Sequence, residues 1–557
     1  MQEFLAFLER INAITLSAPA LIAILGVGAL FTLWSGFAQY RSLTHGLRLV
    51  AGRGIDTTRS AGALTHFQAL STALSGTIGL GNIAGVAIAI ELGGPGAVFW
   101  MWVVGFVGMA LKSTEVTLSL MYRDVSDPKN PHGGMMYVCR NGLATLGPGW
   151  ATLGKIAGAF FGVCVLVFAI TGGNMFQAWS VADTTQAYFG LAPWKTGLIL
   201  AALVGLVLLG GIRRLGATAA ALVPFMCVIY VFGGLWVLSI EAEKLPGVIR
   251  EIFRCAFAPA EASGAFTGAA VGSAFIYGMR RALFSSESGL GTAPIAHSAV
   301  RTPEPVTEGV VAGLEPFIDT IVVCTITALV VLVSGVWNRA PLATWNAPPT
   351  IVSVEANQWK PSNAELPTQD TRKPFRPGQS VFAVVEIDGK RHRLDGVVRV
   401  SDASSVDEGI GIEWNVVTSV STPVLAENGV FADFRGSTMA ALAFDSARPG
   451  LGKWMVTVAV WLFAFATIIA YGYYGEQTVA YFGGGPRSVL VYRIAWCTIV
   501  AATCLGYIKT SVQLDTLSTV AMGFMYAVNL PLLLVLGPQV MRTWHDYFRR
   551  LHAGQIR

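Results

Sequence analysis

The feature that most constrains this chain is a series of long apolar stretches. At about 1.5 Å of rise per helical residue, roughly 20 such residues cross about 30 Å of hydrocarbon. Eleven stretches reach this length, approximately over 16–39, 67–90, 93–111, 156–181, 195–212, 215–240, 265–290, 309–336, 454–475, 487–508 and 517–541. With 53% hydrophobic and only 13% charged residues, and a mean hydropathy of +0.57, the chain is too apolar for a string of soluble domains. It reads as an all-α polytopic membrane protein of about 11 transmembrane helices.

The charges give an orientation. Arg41, Arg48, Arg53 and Arg59 follow the first span, Arg213 and Arg214 lie between the fifth and sixth, and Arg542, Arg549, Arg550 and Arg557 lie in the tail. By the positive-inside rule these segments are cytoplasmic, which puts the N-terminus outside and the C-terminus inside. Glu241, Glu243, Glu251 and Glu261 then face outward. Glu3, Glu9 and Arg10 precede the first span without a basic leader, so that span is expected to be retained. The net charge of +5 is accounted for by this asymmetry, and nothing supports nucleic-acid binding. The seven cysteines lie mostly in apolar runs and form no disulfide framework, and the seven histidines lack metal-ligand spacing.

Residues 339–453 break the pattern, holding 12 of the 38 Lys+Arg and 13 of the 33 Asp+Glu. Here Val381–Ile387 and Arg391–Val400 flank Asp388-Gly389, a two-residue hairpin signal because both turn positions need φ > 0. A small β-rich soluble insertion is expected outside, reached through a Pro- and Asn-rich linker from Asn346 to Pro374.

A membrane helix satisfies its own backbone, so glycine clusters at mid-span need a reason. The second span contains Ser75-Gly76-Thr77-Ile78-Gly79-Leu80-Gly81-Asn82-Ile83-Ala84-Gly85. Close helix packing is one use of such residues, and Gly81 to Gly85 has GxxxG spacing. The seventh span, five later, breaks at Gly278-Met279-Arg280-Arg281 and runs on to Glu287-Ser288-Gly289-Leu290-Gly291. Paired interruptions in two halves point to an inverted-repeat transporter, and the odd count of five inverts the second half. At such breaks free N–H groups hold a carboxylate and free carbonyls hold a cation.

From Thr72 through the Gly-Asn-Ile-Ala-Gly run to Gly93-Gly94-Pro95-Gly96-Ala97-Val98-Phe99-Trp100, the sequence resembles the alanine or glycine:cation symporter family. Arg281-Ala282-Leu283-Phe284-Ser285-Ser286-Glu287-Ser288-Gly289-Leu290-Gly291-Thr292-Ala293-Pro294 resembles its second signature, and Asp319-Thr320 and Tyr473-Tyr474-Gly475-Glu476 are further matches. The resemblance covers essentially 15–336 and 440–545. It implies a LeuT-type 5+5 inverted repeat with one extra N-terminal helix. The chain then divides into 1–64 (extra helix and loop), 65–241 (first repeat), 264–338 (start of the second), 339–453 (insertion), 454–541 (end of the second) and 542–557 (tail).

The resemblance also implies the site. Gly79, Leu80, Gly81 and Asn82 form the substrate break, with the Leu80 and Gly81 amides on a carboxylate. The Thr77 carbonyl and the Asn82 side chain serve one sodium position; the Ser75 and Ile78 carbonyls and the Thr467 hydroxyl serve another. Gln177 is a substrate contact, or alternatively an interhelical hydrogen bond. Phe284 and Tyr471 are pocket walls, or alternatively core aromatics. Independently of the resemblance, the ionisable Glu115, Arg281 and Glu287 fall toward the cytoplasmic span ends, where an ion pair of Arg281 with one of the glutamates is expected to form an inner gate, snorkelling being the other explanation. Departures are Ala466 before Thr467, Ala470-Tyr471 for the usual Gly-Trp, and Ser286 and Ser288.

The implied partners are a small neutral amino acid, sodium as coupling ion, and the lipid of a plasma or inner membrane. Proton coupling would call for a carboxylate near the break, and Glu91 is the nearest in sequence to the first. A channel is a further reading. No HExxH, GxSxG or P-loop supports an enzyme. The sequence carries no signal for oligomeric state.

Overall fold

The computed structural model describes residues 2–53, 60–258, 272–362, 368–369, 375–400, 410–434, 436–507 and 511–556. Arg59, Glu261, Arg557, the first residues of 264–338 and parts of the 346–374 linker lie outside them.

The helices are α1 (Phe7–Trp34), α2 (His66–Thr77), α3 (Ala84–Gly93), α4 (Gly96–Tyr122), α5 (Pro148–Phe189), α6 (Pro193–Leu208), α7 (Gly211–Ile240), α8 (Ser273–Ser286), α9 (Ala293–His297), α10 (Pro305–Ser334), α11 (Gly436–Asp445), α12 (Leu451–Tyr481), α13 (Pro486–Thr503) and α14 (Ser511–His552). Each of the eleven apolar stretches carries a helix, but among the described residues seven helices are individually long and apolar enough to cross a bilayer. The α2–α3 pair, bent by 62°, makes an eighth. The other three stretches hold α6, α8 and α13. Each is shortened by glycine or proline or diluted by polar residues: α6 starts at Pro193, α8 ends at the second break, and α13 carries Arg487 and Arg493.

Large apolar side chains such as Leu198, Leu206, Phe232 and Ile494 point outward, whereas Ser75, Asn82, Gln177, Glu287 and Asp319 are buried. That is the inverse of a soluble protein, in which broad apolar patches are avoided and buried charges are rare. This is a multi-pass membrane protein.

Helix α2 starts at a capping box, with the Thr65 hydroxyl accepting the Gln68 N–H and the Gln68 side chain accepting the Thr65 N–H. It ends where Ile78 turns to ψ 87° and Gly79 becomes extended. Helix α8 ends on Glu287, a non-glycine residue at φ 50°, and Gly289 and Gly291 follow at φ 82° and 85°. The first interruption lies where the sequence puts it, whereas Gly278-Met279-Arg280-Arg281, expected to break the seventh span, is continuous helix inside α8, and the chain breaks later, at Glu287–Gly291, where three residues take positive φ.

The insertion contains β1 (Ala343–Thr344), β2 (Ile351–Glu355), β3 (Gln358–Pro361), β4 (Thr368–Gln369), β5 (Ser380–Ile387), β6 (Lys390–Val400), β7 (Ile410–Trp414), β8 (Val417–Thr418) and β9 (Val424–Ala432). They form a six-stranded sheet in the order β4-β1-β9-β5-β6-β7 and a three-stranded sheet β2-β3-β8. Ile387 pairs with Lys390 across Asp388 (φ 51°) and Gly389 (φ 74°), the turn its sequence requires. The strands stop at Ala432. Helix α11 lies against α3, where a Cβ on Gly436 would stand 2.2 Å from the Ala84 carbonyl oxygen. The last part of 339–453 thus packs with the helical bundle.

The sheet is tied down at the C-terminal end of α3. Arg339 and Arg393 both donate to the Glu91 carboxylate, at 3.2 and 3.3 Å, and Arg393 also pairs with Asp433 at 2.5 Å. This defines an insertion end of the bundle. The opposite, tail end carries Arg550 of α14, bonded to Glu304 at 2.8 and 3.0 Å.

Candidate functional site

The first break faces α5, α8 and α12 across a narrow cavity lined by Gly76, Thr77, Gly79, Gly81, Phe168, Gly172, Gln177, Phe284, Glu287, Thr467 and Tyr471. The residues come from two helix breaks and two long helices, so no single element could build the cavity alone. Helix α5 carries a π-helical segment, Ala169–Met175, just before Gln177; such bulges commonly turn side chains into functional sites. Gln177 Nε2 donates to the Gly172 carbonyl at 3.2 Å, and its Oε1 accepts the Leu80 N–H at a long 3.5 Å. The Leu80 amide thus points at the cavity and is held weakly.

Asn82 closes the break on itself, its Oδ1 accepting the Gly79 N–H at 3.0 Å. Its Nδ2 donates to the Asp319 carboxylate, and its carbonyl accepts the Thr327 hydroxyl at 2.8 Å. Asp319 lies in a second π-helical segment, Phe317–Cys324. It also accepts the Ser285 and Thr320 hydroxyls, each at 2.8 Å. One buried carboxylate therefore joins Asn82 of the first break to Ser285 beside the second. Asp319 was visible in the sequence as part of a matching motif, but its role as a bridge was not.

The residues expected to hold a cation gather around this break. The Thr467 hydroxyl is buried without a hydrogen-bond partner and stands where a Cβ on Gly79 would lie 2.7 Å from it. A buried hydroxyl without a partner is costly, and this one faces the freed end of α2, as a donor set for a hard cation requires. The Ser75 hydroxyl donates to the Thr72 carbonyl at 2.7 Å, and the Thr77 carbonyl accepts the Gly79 N–H at 3.0 Å. Ser75, Thr77, Ile78, Asn82 and Thr467 are all buried. Ala466 is fully buried and adds no oxygen.

The expected gate differs. Among the described residues Arg281 forms no ion pair with Glu115 or Glu287. It precedes the second break on the insertion-end side, with its guanidinium 5.4 Å from the Phe284 ring centre and its chain packed against Gly85. There it lines a cavity with Leu16, Ile88, Leu92 and Asp515. Five helical residues separate Arg281 from Glu287, with Phe284 at their centre. Glu287 itself lines the central cavity and accepts the hydroxyls of Tyr471 and, at 2.5 Å, Thr292. Glu115 accepts the Asn529 amide, which also reaches the Gly289 carbonyl at 2.8 Å. Tyr471 and Phe284 both pack on Phe168, at ring distances of 5.5 and 6.1 Å, and form one aromatic wall.

Comparison with known proteins gives the architecture a family. The model of the sodium:alanine symporter family matches residues 1–359 and 409–557, leaving only 360–408 of the insertion unmatched. The match therefore extends further into 339–453 from both sides than the sequence motifs reach. The sodium/alanine symporter AgcS of Methanococcus maripaludis is 34% identical over 89% of this chain and 87% of its own length. The putative sodium/proton-dependent alanine carrier protein YrbD of Bacillus subtilis is 30% identical over 98% and 93%. The probable sodium/glutamine symporter GlnT of the same organism is 27% identical over 100% and 93%. These are transporters and not enzymes, and the chain belongs to the sodium:alanine symporter family of cation-coupled amino-acid symporters.

Proposed function

We propose that the chain takes up a small neutral amino acid, alanine or glycine, together with sodium across a plasma or inner membrane. The observation that carries this reading is the buried, unpartnered Thr467 hydroxyl beside Gly79, in the wall of a cavity too narrow for a large side chain. Eleven spans in a LeuT-type 5+5 inverted repeat, with one extra helix at the start, would put both breaks at mid-membrane. The N-terminus and insertion would then lie outside and the arginine-rich tail inside.

In this reading the Leu80 and Gly81 amides receive the substrate carboxylate at the positive end of the first break. Leu80 exchanges its long bond to Gln177 for that carboxylate. The Glu287 carboxylate takes the substrate ammonium, and Phe284 and Tyr471 limit the side chain. Sodium takes the Thr467 hydroxyl with the Ser75 and Ile78 carbonyls, and a second position uses the Thr77 carbonyl and the Asn82 side chain. Ala466 makes the Thr467 position poorer in oxygen. Arg281 closes the path on the insertion-end side of Phe284. The two breaks rock open to one side or the other, and binding of both solutes favours the closed arrangement.

Competition of labelled alanine uptake by neutral amino acids of both enantiomers, with and without sodium, tests the assignment. Glycine and alanine should compete strongly and only with sodium, and leucine and glutamine weakly, because one extra methylene costs about 1–3 kcal/mol in a tight pocket. Equal competition by glutamine, or competition indifferent to sodium, rejects it.

A further inference from the structure

Away from the cavity, toward the tail end, five ionisable side chains from three elements and the end of a fourth meet in the interior. His297, the last residue of α9, is fully buried and sits between two carboxylates of α10. Its Nδ1 is 2.5 Å from Glu308 Oε1 and its Nε2 is 2.6 Å from Glu315 Oε1. The other oxygen of Glu308 meets His66 Nδ1 at the start of α2, and the other oxygen of Glu315 accepts Lys112 of α4 at 3.3 Å. Lys112, Glu308 and Glu315 are fully buried, and His66 alone reaches the surface, with 12% of its side chain exposed.

The geometry counts protons. A neutral imidazole has one N–H donor and one acceptor nitrogen, and carboxylates only accept. With a carboxylate oxygen against each ring nitrogen, a neutral His297 would set a lone pair against an oxygen anion. An imidazolium donates to both. With that proton the set of His297, Lys112, Glu308 and Glu315 has zero net charge; without it the set holds one uncompensated buried negative charge, which is strongly unfavourable. The other ionisable groups around the set are Arg123 of α4, a cation near Glu308 that donates to the Ser298 carbonyl at 2.8 Å, Tyr474 of α12, which can donate but brings no charge, and Glu115 and Glu287, buried carboxylates beside Lys112. None of them gives a His297 ring nitrogen its proton.

We propose that His297, clamped by Glu308 and Glu315, is a proton-binding site that locks the tail-end halves of the two broken helices together. This rests on the reading that the breaks move in transport. The lock spans α2 through His66, α9 through His297 and α4 through Lys112, all held by α10. On release, His297 Nδ1 gives its proton to Glu308 Oε1; His66, whose Nδ1–H faces Glu308 Oε2, shifts through water to its Nε2–H tautomer, and its freed Nδ1 takes the proton as the acid group rotates, a proton then leaving from His66 Nε2 to water. One proton leaves, and the buried set goes from net zero to net minus one. The charged set then favours opening of α2 away from α10, where water can reach it. Proton occupancy on the tail side thereby controls how readily that side opens.

The test uses the full-length protein in lipid. Nitrogen-15 NMR of ring-labelled histidine, with His297 assigned by loss of its signal in His297→Gln, should show both ring nitrogens protonated at about pH 7.5. A single neutral tautomer there overturns the proposal. In proteoliposomes with a fixed sodium gradient, raising the tail-side pH from about 6 to about 9 should change the alanine uptake rate roughly fivefold or more. The same change on the other side should have little effect. His66→Gln keeps the clamp but removes the exit, and should flatten the tail-side response. A His66→Gln profile matching the wild type, or a wild type indifferent to tail-side pH, overturns the lock. If no amino acid is transported at all, the symport reading fails, and the NMR result still decides the proton site.

Discussion

Thr467 and Glu287 are the side chains whose chemistry is most exposed to test. Thr467 holds a buried hydroxyl with no protein partner. Thr467→Ala should raise the sodium concentration for half-maximal uptake roughly tenfold, about 1.4 kcal/mol, while Thr467→Ser stays near the wild type; sodium titration of initial uptake rates measures both. Glu287 holds a carboxylate in the cavity with two hydroxyls donating to it. Glu287→Gln removes the charge from the substrate ammonium and should lower kcat/KM for alanine roughly 10- to 100-fold, the cost of a hydrogen bond to a charged group. At this scale the sequence is informative where one short segment does the work. Gly79 to Asn82 stand out because glycines and an asparagine have no easy use inside an apolar span. His66, Lys112, His297, Glu308 and Glu315 do not stand out, because they come from three separate parts of the chain and each alone looks like a stray charge. Arg281 reads as an inner-gate cation until it is seen to lie within α8, ahead of the second break and toward the insertion end.

Among the elements, the two broken helices depend on close approach as much as on their freed backbone. Gly278, before the second break, lies where a Cβ would stand 2.4 Å from the Ala97 carbonyl oxygen of α4. Gly278→Ala should destabilise the protein by about 1–3 kcal/mol through forced separation of α8 and α4, seen as a lower unfolding temperature in detergent. The first break is legible from its glycine and polar cluster; the second is displaced from Gly278–Arg281, whose glycine serves close packing, to Glu287–Gly291. The number of spans is less so, since length and hydropathy single out seven helices and one bent pair. Polar residues such as Arg487 and Arg493 dilute a helix that its neighbours nonetheless hold in the bundle, with Arg493 donating to Glu476 at 2.8 Å through two nitrogens. The Asp388-Gly389 turn is legible because it is local. The pairing of β9 between β1 and β5 is not, because it joins strands about 40–90 residues apart.

Over the whole molecule, Glu91 connects the sheet to the transport bundle. It lies near the end of α3 and receives both Arg339 and Arg393, so the insertion is fastened to the second half of the first broken helix. Glu91→Ala leaves two partly buried guanidinium groups without this partner and should cost about 1–3 kcal/mol, discounted for their exposure; thermal unfolding measures it, with Glu91→Gln falling between. The central claim, that sodium drives small amino acids through this bundle, is tested most directly in sealed proteoliposomes. An inward sodium gradient should accumulate alanine above its external concentration, and a sodium ionophore should abolish the accumulation. Alanine that merely equilibrates, or accumulates equally when potassium replaces sodium, would contradict the account.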